Sequence, residues 1–224
     1  MSDILADIQE FINDFNNSNN AEFAIDTIRI KFSKQHKLSS LNELGKWSKL
    51  KKNSNILHKL KRRLSDDEVT SVFRLEAHDI YYYNMQEPPK YRNAMMVIFG
   101  MKQYHQEPPP KQFISKILST LKNITDVDVC FDVGMKPDIN KLKHFFNLTQ
   151  YISKDGVFTD TYYINKTDIP MLEKITIYNK AFKNKLGFDL WRFEAKILIP
   201  NYKYLALPLY EFKSIIDIAR GTDD

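Results

Sequence analysis

The sequence predicts an α+β fold, a mainly antiparallel β-sheet with helices packed against one face. Three observations lead there. Segments rich in β-branched and aromatic residues outnumber segments with a helical apolar stripe. Several neighbouring strand segments are separated by hairpin-length connections. The helical segments keep their apolar residues on one side, as helices that cover a sheet must.

In chain order, residues 3–16 place Ile4, Ile8, Phe11, Ile12 and Phe15 on one helical stripe. The Asn-rich run Asn16 to Asn20 is expected to end that helix as a loop. Phe23 to Phe32 alternates as a strand, with Ile28 and Ile30 opposite Arg29 and Lys31. Residues 40–63 are basic and read as partly helical. Val69 to Asn84 reads as one long strand and Arg92 to Gly100 as its partner, joined by a loop containing Pro88 and Pro89. Pro108 to Pro110 open a helix that runs to about Asn123, with Phe113, Ile114, Ile117, Leu118 and Leu121 on one side. A strand ending at Asp132, a short helix over 137–146, a turn at Lys154-Asp155-Gly156 and a strand over 157–165 follow. The last hairpin pairs 172–182 with 189–199, and a final helix begins near Pro208.

The totals bound the function. The 224 residues are 43% hydrophobic and 13% aromatic, enough for a substantial core. A formal charge of +5 and a pI near 9.0 favour an anionic partner. The lone Cys130 excludes a disulfide framework and a cysteine zinc site. No run of about 20 apolar residues is present to span a bilayer. Acidic Asp3, Asp7 and Glu10 argue against a secretory signal, so a cytoplasmic protein is expected.

Chemistry gathers in the C-terminal half. Asp128 and Asp132 share one strand face, because side chains four apart on a strand point the same way. Tyr178 and Lys180 are expected on one face, as are Arg192, Glu194 and Lys196. If their strands are neighbours, Asp128, Asp132 and Glu194 form a carboxylate set suited to Mg²⁺ or Mn²⁺. Such an ion polarises a phosphodiester. Tyr178 is the candidate nucleophile, and Lys180 or the ion would favour its phenolate. The plain reading of the same residues is solvent-facing aspartates, a packed tyrosine, and an ion pair among Arg192, Glu194 and Lys196.

The ordered set of motifs resembles the plasmid rolling-circle replication initiators of the Rep-trans type, relatives of filamentous-phage initiators and of conjugative-element relaxases. The likeness runs from Ile25-Asp26-Thr27-Ile28 through Met96 to Gly100, Asp128 to Asp132, and Tyr178-Asn179-Lys180 to Arg192-Phe193-Glu194. It implies a nickase-like initiator fold and a metal-dependent enzyme that nicks one DNA strand by transesterification. In that family the motif tyrosine is the nucleophile, which carries over to Tyr178, with Lys180 contacting phosphate or phenolate. The acids carry over to Asp128, Asp132 and Glu194 as metal ligands. Residues 1–22 would then be an N-terminal helix and loop, 23–200 the catalytic domain with a basic excursion at 46–63, and 201–224 a C-terminal helical segment. Thr125 and Asp126 stand where the family often has an arginine, and the chain is short for a complete initiator. His36, His58, His78, His105 and His144 form no His-hydrophobic-His pair.

The implied partner is single-stranded or hairpin origin DNA, with a helicase and a homodimer left open. Lys46, Lys49, Lys51, Lys52, Arg62, Arg63 and Arg192 are the candidate phosphate contacts, and Trp47 a candidate base-stacking residue. The plain reading of 46–63 is a solvated helical face. Tyr81, Tyr82, Tyr83, Tyr162 and Tyr163 are rival nucleophiles, and His78 with Glu76 shares a strand face. Two other functions fit the same residues. One is a primase-like nucleotidyl transferase with two ions at Asp128 and Asp132. The other is a DNA-binding regulator of a mobile element without catalysis.

Overall fold

The computed structural model describes residues 4–64, 69, 71–75, 78–86, 92–200 and 204–222, without the side chains of 36–38 and 62. Glu76 and the side chain of Arg62, both singled out above, therefore lie outside the described residues. The chain divides into two compact units. The first comprises Met1–Leu5, Thr27–Met101 and Pro108–Thr125, and the second Ala6–Asp26, Lys102–Glu107 and Asp126–Asp224.

The first unit holds most of β1 (Ala24–Ser33), then α2 (Lys34–Asn42), β2 (Trp47–Lys49), α3 (Asn55–Leu64), β3 (Val72–Leu75), β4 (Ile80–Asn84), β5 (Asn93–Ile98) and α4 (Lys111–Thr120). Its strands lie in the order β2-β3-β4-β5-β1, and each pairs antiparallel with the next. Leu57 and Leu60 of α3 pack with Val69, Val72, Tyr81, Val97 and Phe99. The strand expected over Val69–Asn84 is instead the hairpin β3–β4. His78 N–H donates to the Leu75 carbonyl and the Arg74 guanidinium to the His78 carbonyl, so the chain turns where continuous alternation had suggested one strand.

The second unit holds nearly all of α1 (Ile4–Asn19), then β6 (Ile124–Val133), α5 (Ile139–Phe145), β7 (Leu148–Ile152), β8 (Phe158–Ile164), β9 (Leu172–Asn179), α6 (Lys180–Asn184), β10 (Trp191–Leu198) and α7 (Ala206–Arg220). Strand order is β6-β10-β9-β8-β7, again antiparallel throughout. α1 outlasts its predicted end. Asn16 bonds the backbone of Phe23 at both N–H and C=O, and Asn19 bonds the Phe15 carbonyl. The stop falls at Asn20, whose φ of 49° lies in the left-handed region that asparagine tolerates. β7 was not anticipated from the sequence.

One face of this second sheet is apolar. Phe131 of β6 meets Phe23 at 5.7 Å, Phe23 stacks on Phe212 of α7 at 5.1 Å, and Phe15 of α1 stands edge-on to Tyr210 at 4.8 Å. Asp138 N–H donates to the Ala219 carbonyl at 2.8 Å, joining the start of α5 to the end of α7. Because strand side chains alternate, placing Val127, Val129 and Phe131 on the apolar face turns Asp126, Asp128, Cys130 and Asp132 to the opposite face. The α+β class with helices over one sheet face is what the periodicity predicted.

Candidate active site

The register of three antiparallel neighbours builds the site. Arg192 of β10 lies between Asp132 of β6 and Tyr178 of β9, in one row across the sheet. The next row is Cys130, Glu194 and Thr176, and the third is Asp128, Lys196 and Lys174. Directly opposed residues stand about 5 Å apart at Cβ, so the first two rows bring acids, a guanidinium and a phenol within bonding reach.

Arg192 is the centre of the cluster. It is 0% exposed. Its Nε and Nη2 donate to the two oxygens of Asp132 at 2.6 Å each, a bidentate fork. Its Nη1 donates to Asp26 Oδ1 at 2.9 Å and to the Lys102 carbonyl at 2.7 Å, and lies 3.8 Å from Glu194 Oε1. Asp132 Oδ2 also accepts from the Tyr104 hydroxyl at 2.8 Å. A charge so enclosed is tolerated only because every donor finds an acceptor. No buried side-chain nitrogen or oxygen among the described residues lacks a partner.

The Tyr178 hydroxyl donates to Glu194 Oε1 at 2.6 Å. Burial first, and the adjacent Glu194 charge second, push this phenol well above its ordinary range, against the pull of Arg192. A free phenolate at neutral pH is thus disfavoured, and Glu194 is the acceptor that holds the phenolic proton. Lys183 Nζ lies over the Tyr178 ring, 4.3 Å from its centroid.

Lys180 is a correction to the strand reading. It is the first residue of α6 and does not continue β9, because Asn179 caps the helix by accepting from the Phe182 N–H. Its Nζ still reaches the cluster and donates to the Lys102 carbonyl at 3.3 Å. Burial lowers its pKa, making the ammonium a readier proton donor.

Asp26 and Tyr104 carry no role in the sequence reading. Asp26 is buried and its pKa is raised to about 6, by burial first and Glu194 next, despite the opposing charges of Arg192 and Lys180. Arg192 pulls it down, but burial and the Glu194 charge both outrank that pull. A carboxylate in an otherwise buried strand stretch was the available signal, since such a group requires a buried partner. Tyr104 sits in an irregular segment with no periodic context and gave none. Burial first and then its bond to Asp132 raise its phenol to about 12.

Of the other predicted residues, Asp128 stands one row beyond Glu194, directly across from Lys196. Lys196 itself bonds Glu173 at 2.7 Å. Arg192, named as a phosphate contact, is enclosed by protein. Lys46, Trp47, Lys49, Lys51, Lys52 and Arg63 belong to the first unit. Trp47 donates to the Leu41 carbonyl and packs edge-on to Tyr82. Arg63 bonds Asp79 at 3.0 Å and lies over the Phe99 ring. Tyr82 stacks on Phe73, Tyr162 is buried and accepts from Gln150, and Tyr163 lies under Lys174. His78 lies against Phe113.

Carboxylate oxygens suit Mg²⁺ or Mn²⁺ as donors, but the arrangement does not fit such an ion. Both oxygens of Asp132 and one of Asp26 are held by Arg192. Among the described residues no group of three His, Cys, Asp or Glu side chains is disposed to hold a metal.

No family model and no curated protein matches the sequence. Among solved structures, the chain is similar to the rolling circle replication initiator protein from Geobacillus stearothermophilus, at 15% identity and a TM-score of 0.40, over 88% of this chain and 79% of that one.

Proposed function

We propose that this chain is a replication initiator or relaxase that nicks one DNA strand by transesterification through Tyr178. The observation that carries the reading is the Tyr178 hydroxyl donating to Glu194 at 2.6 Å beside the enclosed Arg192. In the proposed step, the Tyr178 oxygen bonds to phosphorus as the P–O3′ bond breaks. The phenolic proton passes to Glu194, and the departing 3′ oxygen takes one from Lys180. The product is a 5′-phosphotyrosine link and a free 3′ hydroxyl. Arg192 fixes Asp132 and offsets the charges of Asp132 and Asp26 without touching the strand. An unpaired strand has the flexible backbone and exposed base faces that such a site can engage, so the proposed substrate is single-stranded or hairpin DNA.

The test incubates the protein with labelled single-stranded and hairpin oligonucleotides from its own locus, in EDTA and in Mg²⁺ or Mn²⁺. A covalent adduct on a denaturing gel is expected with the unaltered chain. Tyr178→Phe should lose it by more than about a thousandfold, a margin comparable to removing one essential catalytic group. A persistent adduct in Tyr178→Phe would place the nucleophile elsewhere.

The commitment of Asp132 to Arg192 at both oxygens favours a second reading, a DNA-binding regulator without catalysis, which would bind these oligonucleotides and leave them uncut under every condition. The primase-like alternative needs Asp128 and Asp132 to share ions. With Asp132 committed to Arg192 and Asp128 across from Lys196, nothing in the cluster favours it.

A further inference from the structure

Beside the cluster, α6 and the loop that follows it expose two aromatic rings. Phe182 is 85% exposed and Phe188 is 55% exposed. Both line an open hollow of ≈ 770 Å³ together with Lys185, Leu186, Gly187 and Asp189. Tyr104, 42% exposed, meets Phe188 edge-on at 6.3 Å. Its hydroxyl is the one bonded to Asp132. A run of rings therefore leads from the acidic cluster out to the surface. Cations follow it, with Lys102 and Lys180 about 6 Å from the Tyr104 ring at 5.8 and 6.0 Å, and Lys183 at 4.3 Å from the Tyr178 ring.

An exposed phenylalanine face gains free energy when a ligand covers it. The two rings share the hollow with one cation, Lys185, and one acid, Asp189, so the surface is not a contiguous apolar patch of the kind another protein would seal. Aromatic faces beside cations suit unpaired bases, whose faces stack on rings while their phosphates meet the lysines. We infer that Phe182 and Phe188 form a stacking platform for an unpaired base of single-stranded DNA, next to the phosphate that would be presented to Tyr178. The inference rests on the nickase reading for the identity of the strand, but its binding test does not depend on cleavage.

The experiment measures fluorescence anisotropy of fluorescein-labelled dT20 and of an abasic 20-mer of the same charge, in EDTA, with Tyr178→Phe protein so that no covalent capture intervenes. The background is expected to prefer dT20 over the abasic strand. Adding Phe182→Ala and Phe188→Ala together should cut dT20 affinity about tenfold or more and leave abasic binding unchanged. The slope of log affinity against log salt should not move, since no phosphate contact is lost. Phe182→Trp should retain the preference and quench a 2-aminopurine placed in the strand. Equal binding of the two strands, or a preference that survives the double substitution, overturns the platform. So does a loss of self-association in sedimentation with the preference intact, which would assign the rings to a second copy of the chain. Because the adduct assay is separate, stacking without an adduct would sink the nickase and spare the platform, and an adduct without stacking would do the reverse.

Discussion

Arg192 joins more groups than any other side chain in the cluster, and its removal has a definite cost. Arg192→Ala would leave Asp26 and Asp132 buried without their cation, which typically costs ~3–5 kcal/mol. Urea denaturation should show a loss of that size, and a loss under about 1 kcal/mol would mean the acids are hydrated in solution. Asp26 sets a pH dependence of unusual sign for a carboxylate. Its folded pKa, about 6, stands above the ordinary carboxyl value of 3.8, so between those values the folded state holds more protons than the unfolded one. Stability therefore falls as pH rises through that window, by at most ~3 kcal/mol, and is level above it. Burial is responsible first and the Glu194 and Asp128 charges next, opposed by Arg192 and Lys180. Asp26→Asn should abolish this slope, and a difference between the two proteins that stays flat from pH 4 to pH 6 would refute the assignment.

At the scale of elements, the site depends on where β9 stops. Asn179 ends the strand by capping α6, and the cap turns Lys180 toward the Lys102 carbonyl. Asn179→Ala should cost about 1 kcal/mol in thermal or urea unfolding. It should also lower adduct formation at saturating DNA, because Lys180 loses its anchor; unchanged adduct formation would detach Lys180 from the chemistry. The sequence showed β9 and β10 as a hairpin and gave their alternation correctly. It did not show the short helix between them. A single turn of helix has no periodicity to detect, and the Asn179 cap becomes visible only once the Phe182 N–H points back at it.

At the scale of the whole molecule, the sequence-predicted residues separate into the two units. Tyr178, Lys180, Asp132, Arg192 and Glu194 share the second, and the basic residues of 46–63 belong to the first. Cys130 offers a reporter for the second unit. It is buried in β6, and burial raises its thiol well above the ordinary range. Its alkylation in native buffer should be slower than that of an unfolded chain by several orders of magnitude, since it requires the sheet to open. Alkylation at the unfolded rate would show that β6 is not protected.

The sequence by itself determined the class of fold, the face on which Asp128, Asp132, Arg192, Glu194 and Lys196 stand, and the pairing of β9 with β10. Alternation is a local property, and each strand carries it in its own residues. Tertiary structure alone decided which of those side chains meet. Asp132 and Asp128 are equivalent by alternation, but β10 sets Arg192 against one and Lys196 against the other. Asp26 and Tyr104 arrive from elsewhere in the chain, and only the packed sheet reveals that both converge on the same guanidinium and its acid. Contacts between residues distant in sequence leave no periodic trace, so no local pattern could have announced them.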